Sequence, residues 1–129
     1  MEDLYSTIGK FERDNLCAWK DIPILTKGIT LAKGQGIISR GTVLGIITES
    51  GLLKPVDSSK TDGTQTANCI LTDTVDTGDS TATEDSTATA YISGLFNASA
   101  LTFGGSDTYA KHQENLRALG IYLQNNIAY

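Results

Sequence analysis

The amino-acid sequence predicts a small, compact, mainly β domain of sandwich or barrel type, with one short C-terminal helix and an N-terminal arm. The composition is the first observation, because 17 Thr, 13 Gly and 10 Ser among 129 residues favour pleated, half-exposed strands and glycine turns. The second observation is a series of short apolar runs separated by glycine. The third is that helical periodicity occurs at one place, residues 107–119. A chain of this length forms one domain around one core.

The first 20 residues differ from the rest of the chain. They hold three of the nine aromatic residues, together with mixed charges and no clean hydrophobic period. We therefore predict that residues 1–20 form an arm that orders against a partner, and that residues 21–129 form the β-rich domain. The alternative interpretation is that the aromatic side chains of the arm cover one edge of the core.

The next segment predicts a hairpin. Two short β-type runs, residues 22–26 and 29–32, flank Lys27-Gly28, and this arrangement is typical of a tight turn between two strands.

Two further strands are predicted before residue 57. Residues 42–48 are apolar on both faces, which predicts a strand covered on both sides, and Gly45 within it indicates a bulge or a close backbone approach. Residues 52–56 form a short strand, and we expect this strand at a sheet edge because Pro55 has no N–H to donate.

Residues 57–89 concentrate the acidic charge. Of these 33 residues, 14 are Ser or Thr and 7 are acidic, against the single base Lys60, so the segment carries −6 while the whole chain carries −5. The tetrapeptide Ser-Thr-Ala-Thr occurs at 80–83 and again at 86–89. We predict a solvated polar stretch interrupted by a strand at 66–72, in which Cys69 is a small buried residue with no redox role.

The C-terminal third predicts strand, loop, helix and strand in that order. Residues 87–93 alternate cleanly between small apolar and polar side chains, Gly94 breaks the run, and 95–97 resume it. After a Gly-Gly-Ser loop, residues 107–119 form the helix, with Ser106 or Asp107 as the N-terminal cap and Gly120 as the left-handed stop. Residues 121–123 form a terminal strand.

Catalytic chemistry has little support in this sequence. Nucleophilic catalysis needs a positioned base, and we interpret the one histidine, His112, as a partly exposed helix residue. No Gly-x-Ser-x-Gly motif is present to position a serine. We therefore predict no catalytic residues and no enzymatic activity.

Metal, nucleic-acid and membrane binding are also unsupported. Two distant cysteines and one histidine do not form a zinc motif, and the acidic run 73–85 lacks the spacing of a calcium loop. We predict no metal and no cofactor. The acidic net charge disfavours nucleic acid and anionic membranes, and the first residues lack the features of a signal peptide.

An ordered series of short segments runs from residue 28 to residue 123. It includes SRGTVLGIIT at 39–48, TDGTQTA at 61–67, AYISGLFN at 90–97 and LRALGIYL at 116–123. The series resembles the head decoration proteins of tailed bacteriophages, of the lambda type. The residues that we take as its signature are Arg40, Gly41, Leu44, Gly45, Asp62, Gly63, Gly94, Phe96, Leu119 and Gly120.

The resemblance implies a β-tulip type of fold and a structural role in the virion. Such proteins form homotrimers on the outer surface of the expanded capsid, where they reinforce the shell against the pressure of packaged DNA. It implies the major capsid protein as partner, synthesis in the host cytoplasm, and an arm that pairs with strands of the coat protein. In that case, aromatic and aliphatic residues of the arm anchor it, and our candidates are Tyr5, Ile8, Phe11 and Trp19.

Two other functions are compatible with the composition. A fibre or adhesion domain on the virion surface, binding host carbohydrate, would also use an exposed threonine-rich β surface. A small hydrolase would need paired carboxylates at a fixed separation, and the acidic residues here lie in a stretch that nothing preorganises.

Overall fold

The computed structural model describes residues 17–19 and 24–124. Nine strands, one α-helix and one 3₁₀ turn at Ala98–Ala100 make up this part of the chain. The strands are β1 (Cys17–Trp19), β2 (Leu25–Leu31), β3 (Ile37–Ile38), β4 (Val43–Ile46), β5 (Leu53–Pro55), β6 (Cys69–Leu71), β7 (Val75–Asp76), β8 (Ser86–Asn97) and β9 (Ile121–Gln124), and the helix is α1 (Tyr109–Ala118). The prediction of a mainly β fold with one short C-terminal helix is confirmed.

Five strands close into a barrel. The order is β8-β2-β5-β4-β6, and β6 pairs again with β8 to complete the circle. Closure removes most of the exposed sheet edges that would otherwise promote aggregation. A separate two-stranded ribbon, β3 with β7, lies off the barrel.

The core has two parts, one inside the barrel and one outside it. Leu31, Leu44 and Leu71 belong to the inner cluster, whereas Val43, Ile70 and Phe96 belong to the outer cluster together with Leu116 of α1 and Ile121 of β9. Neighbouring residues of β4 and β6 therefore point into different clusters, since successive side chains of a strand alternate between faces. This confirms that the strand at 42–48 is covered on both sides. Cys69 is fully buried in the inner cluster, as predicted.

The long strand β8 changes neighbours along its length. Its first part pairs with β2 and β6, and its last part pairs with β1 on one side and β9 on the other. The predicted break at Gly94 is wrong, because β8 continues through this residue. Gly94 adopts φ +142°, and an added Cβ there would lie 3.0 Å from the ring of Phe96. Glycine thus allows the strand to remain continuous where the aromatic ring packs against it.

The predicted hairpin at Lys27-Gly28 is also wrong. Both residues lie inside β2, where they pair with Ala90 and Thr89 of β8. The long strand β8 supplies backbone partners for the whole of β2. A two-residue hairpin turn would instead require left-handed backbone, which Gly28 does not adopt.

The predicted edge position of the Pro55 strand is wrong as well, because β5 lies between β2 and β4. The structure tolerates proline there for a local reason. Val56 N–H donates to Val43 O at 2.9 Å, so the nitrogen of the preceding Pro55 faces away from β4. The nitrogen of Pro55 faces the side of β5 on which β2 lies, and β2 pairs with β5 only at Leu53. No ladder partner therefore faces the missing N–H.

The helix is shorter at its start than predicted. It begins at Tyr109, and its cap residue Thr108 makes no side-chain capping hydrogen bond, so neither Ser106 nor Asp107 is the cap. Gly120 does end it in the left-handed region, with φ +96°. Within 17–19 and 24–124, no helix has the length and apolar character needed to cross a membrane.

Gly45 occupies a position where another residue does not fit. An added Cβ would lie 2.8 Å from Thr64 Cα and 2.9 Å from the carbonyl oxygens of Thr64 and Thr66. We expect Gly45→Ala to lower the free energy of unfolding by about 1–3 kcal/mol, since the backbone must move. Chemical denaturation measures this effect. Gly28→Ala is the control, because nothing lies within 4 Å of an added Cβ there; equal losses in both variants would contradict the close approach.

Candidate functional site

A polar cluster around the buried side chains of Asp107 and His112 connects the start of α1 to the loop after β5. Asp107 accepts hydrogen bonds from the Ser58 backbone N–H at 2.7 Å and from the Ser58 hydroxyl at 2.6 Å. Oδ2 of Asp107, which accepts from the Ser58 N–H, also lies 2.7 Å from Nε2 of His112, whereas Oδ1 accepts from the Ser58 hydroxyl. The ring of His112 stacks on Phe103, with ring centroids 5.6 Å apart. The expectation that His112 is partly exposed is wrong, because its side chain is buried in this cluster.

The geometry of this cluster does not support nucleophilic catalysis. Ser58 donates its hydroxyl proton to Asp107 and not to His112, so the histidine does not serve as a base for the serine. Burial by itself raises the pKa of Asp107, but the hydrogen bonds from Ser58 and His112 outweigh it and lower the pKa to about 2. The cluster holds two chain segments together, and we call it the Asp107 clasp.

The clasp makes stability depend on pH. The pKa of Asp107 is lower in the folded state than its ordinary value of 3.8, so its contribution is complete above about pH 4 and is lost as the pH falls towards 2. We expect the wild type to lose more unfolding free energy between pH 5 and pH 2 than Asp107→Asn does. Denaturation curves at several pH values measure the difference, and parallel pH profiles would contradict the prediction.

The acidic segment 57–89 contains repeated Asp-x-Ser/Thr turns. Asp57, Asp62 and Asp79 each accept hydrogen bonds from both the backbone N–H and the hydroxyl of the Ser or Thr two residues later. These bonds lower the pKa of each of the three carboxyl groups. In the described ranges, no three His, Cys, Asp or Glu side chains are grouped so as to hold a metal ion.

Both ends of the described chain leave the sheet at the same place. Cys17 pairs with Phe96 in β8, and Gln124 pairs with Asn97, the last residue of that strand. Because β1 runs antiparallel to β8 and β9 runs parallel to it, residues before 17 and after 124 connect to the sheet at the C-terminal end of β8. Each of β1 and β9 has only β8 as a paired neighbour among the described strands.

Exposed apolar side chains gather near this end. Leu25 is 55% exposed and pairs with Ser93, while Tyr122 is 41% exposed and pairs with Leu95. Ile24 lies beside Gly94, and Leu119 immediately precedes Gly120, whose carbonyl accepts from the Gly94 N–H. We call these four exposed residues the apolar end: Ile24, Leu25, Leu119 and Tyr122. Exposed apolar side chains on neighbouring elements are frequent at protein contact sites.

Most residues of the predicted signature have roles within the fold. Arg40 donates to the carbonyl of Thr72 and to the hydroxyl of Tyr91, over whose ring its guanidinium lies at 5.8 Å. Leu44 and Phe96 are fully buried, and Leu119 is exposed at the apolar end. The side chain of Asp62 caps its own turn. Of the signature glycines, Gly41, Gly63, Gly94 and Gly120 have positive φ.

The family model for bacteriophage lambda head decoration protein D matches residues 5–122 of the 129. The chain belongs to this family. A comparison with curated proteins finds no match. Membership in the decoration protein family confirms the resemblance seen in the sequence and supports a structural role on the phage capsid, with the capsid as partner and the virion as location.

Of the four predicted arm anchors of this decoration protein, one lies among the residues that the structure describes. Tyr5, Ile8 and Phe11 lie outside the described residues, whereas the backbone of Trp19 pairs with Leu95 in β8. Their role in capsid contact stays a prediction. Sequence reasoning missed the Asp107 clasp, because Ser58 and Asp107 are 49 residues apart and neither belongs to a recognisable motif.

Proposed function

We propose that this decoration protein binds the outer surface of the expanded phage head as a homotrimer and stabilises the shell against the pressure of packaged DNA. The observation that carries the proposal is the family match over residues 5–122. The position of Cys17 and Gln124 at the last part of β8, near the exposed residues of the apolar end, is compatible with it.

The arm suits attachment by strand addition. β1 lies at the end of the predicted arm, and among the described strands it pairs with β8 alone. An extended arm that adds to a sheet of the coat protein gains main-chain hydrogen bonds without needing a pocket. Tyr5, Ile8, Phe11 and Trp19 are the residues that we expect to anchor it, because aromatic side chains contribute strongly to interface energetics.

A trimer can attach to the capsid through three arms at once, so weak contacts of single arms add up to strong attachment. When one arm of a trimer is attached, the other two bind at a high effective concentration. We therefore expect stable attachment even where each arm alone binds weakly.

Sedimentation with expanded heads that lack the decoration protein tests this proposal. We expect saturable binding to intact expanded heads at a ratio divisible by three, and much weaker binding to unexpanded shells. Electron microscopy of the saturated heads should show added density on the outside of the shell. Failure to sediment with expanded heads, or binding of host glycans without any capsid affinity, would contradict the proposal.

A further inference from the structure

We propose that the peptide bond between Asp62 and Gly63 is a latent site of spontaneous isomerisation to isoaspartate, and that hydrogen bonds to Thr48 and Gln65 keep this site unreactive in the folded chain. The inference concerns the chemical durability of the domain and does not depend on the proposed function.

Asp62-Gly63 is the one Asp-Gly pair in the sequence, which contains no Asn-Gly pair. At such a pair the backbone nitrogen of glycine attacks Cγ of the aspartate, because no glycine side chain hinders its approach. The new N–Cγ bond closes a five-membered succinimide, while the amide proton and the carboxyl hydroxyl leave together as one water molecule. Water then opens the ring at either carbonyl. Opening at the former main-chain carbonyl gives isoaspartate, and opening at the other carbonyl restores aspartate.

Both polar groups of the peptide unit between the two residues are hydrogen-bonded. Its carbonyl oxygen, on Asp62, accepts from the Thr48 N–H at 2.8 Å. Its N–H, on Gly63, donates to Oε1 of Gln65 at 2.8 Å. Attack on Cγ requires this peptide unit to rotate and to release its amide proton, and both bonds oppose the rotation. The bond to Gln65 also favours the protonated nitrogen over the reactive deprotonated one.

The carboxyl group of Asp62 is held in its less reactive state. Oδ1 accepts from the Thr64 hydroxyl at 2.6 Å and from the Thr64 N–H at 3.1 Å. These two bonds lower the pKa of Asp62, because they stabilise the carboxylate form. Ring closure proceeds through the protonated carboxyl group, from which water can leave. A lower pKa therefore reduces the reactive fraction at neutral pH.

The neighbouring backbone leaves this turn no room for a longer chain. Gly63 has φ +111°, and an added Cβ would overlap the carbonyl oxygen of Ile46 and lie 2.7 Å from the Thr48 nitrogen. The next residue, Thr64, is buried, and its Cα is the closest atom to an added Cβ on Gly45 of β4. Isoaspartate lengthens the main chain by one methylene group. Isomerisation at residue 62 would thus displace Thr64 from β4 and destabilise the barrel.

The rate of isoaspartate formation in folded and unfolded chains tests the latent reactivity. The full-length protein is incubated at neutral pH with and without urea, and isoaspartate at residue 62 is measured by peptide mapping and by enzymatic methylation. We expect the folded chain to react at least about a hundredfold more slowly, since misplacing reacting groups by about 1 Å can cost that much in rate. Equal rates, or no isoaspartate at residue 62 in urea, would overturn the proposal.

A variant of Gln65 tests the protective hydrogen bond. Gln65→Met keeps the length of the side chain and removes the oxygen that accepts from the Gly63 N–H. We expect it to raise the rate at residue 62 in the folded protein about fivefold, the effect of losing one hydrogen bond. Gln113→Met makes the same substitution within α1 and should leave the rate at its wild-type value. The thermal stability of Gln65→Met should fall as isoaspartate accumulates.

Asp79 supplies an internal reference within the same samples. It forms the same type of turn, with Thr81 donating through both its N–H and its hydroxyl, and it lies outside the reach of the substitution. A rise confined to residue 62 supports protection by Gln65. A rise of equal factor at residues 62 and 79 would mean that Gln65→Met loosens the whole chain, and this result, like an unchanged rate at residue 62, would overturn the role of Gln65.

Discussion

Asp107→Ala is expected to lower the free energy of unfolding by about 3 kcal/mol, the largest effect we predict for a single polar side chain of the barrel domain. The carboxylate accepts two hydrogen bonds from Ser58 and contacts His112. Only 2% of the Asp107 side chain is exposed, so water does not reach these contacts from the carboxylate side. Alanine leaves the Ser58 N–H and hydroxyl without this acceptor, so the loop after β5 loses its two hydrogen bonds to the segment that precedes α1.

Chemical denaturation measures this loss, and an acidic residue within α1 supplies the control. Glu114 lies 3.5 Å from Arg117, with both side chains mostly exposed, so Glu114→Ala should change stability by no more than about 0.5 kcal/mol. If Asp107→Ala proved as mild as Glu114→Ala, the clasp would not be holding the two segments together.

Deleting residues 1–16 is expected to leave a folded barrel and to weaken binding to expanded heads by at least about a hundredfold. The deletion removes Tyr5, Ile8 and Phe11, three of the four predicted anchors. It ends before Cys17 because Cys17 and Trp19 pair with β8, so a longer deletion would also damage the sheet.

Sedimentation measures the affinity of the truncated protein, and its thermal unfolding reports on the fold. A full-length variant with Tyr5, Ile8 and Phe11 replaced by alanine is the matched control, because it keeps the length of the arm and removes its anchors. We expect it to bind about as weakly as the truncated protein. Undiminished binding by the truncated protein would contradict the role of the arm, and its unfolding would mean that the arm is part of the core.

The sequence supported those elements whose patterns are local. The alternation at 87–93 lies within β8, the two-faced apolar run corresponds to β4, and Gly120 ends the helix. The close backbone approach at Gly45 was also predictable, because glycine inside an apolar strand needs a reason such as the backbone of Thr64 beside it.

The errors arose where a distant partner overrides a local signal. Lys27-Gly28 resembles a turn, but β8, about 60 positions later in the chain, pairs with it and extends the strand. Asp107 resembles a helix cap, yet Ser58 and His112 bind its carboxylate instead. Pro55 indicates an edge, yet the barrel places β5 between two strands with its proline nitrogen turned away from the ladder.

The exposure of apolar side chains was even less visible in the sequence. Ile37 and Ile38 are adjacent isoleucines, and only the pairing of β3 with β7 exposes the first while burying the second. The apolar end depends on β1, β2 and β9 meeting at the last part of β8. By contrast, the acidic hydroxyl-rich segment was recognisable, and in the structure three of its aspartates, Asp57, Asp62 and Asp79, accept hydrogen bonds within turns.

Retention of DNA by heated heads tests the central claim most directly. Expanded, DNA-filled heads that lack the decoration protein are heated with and without added protein, and DNA release is followed with an intercalating dye. We predict that saturating protein raises the temperature of DNA release, and that the protein lacking residues 1–16 does not. If DNA is released at the same temperature while the full-length protein is demonstrably bound, the chain does not stabilise the head.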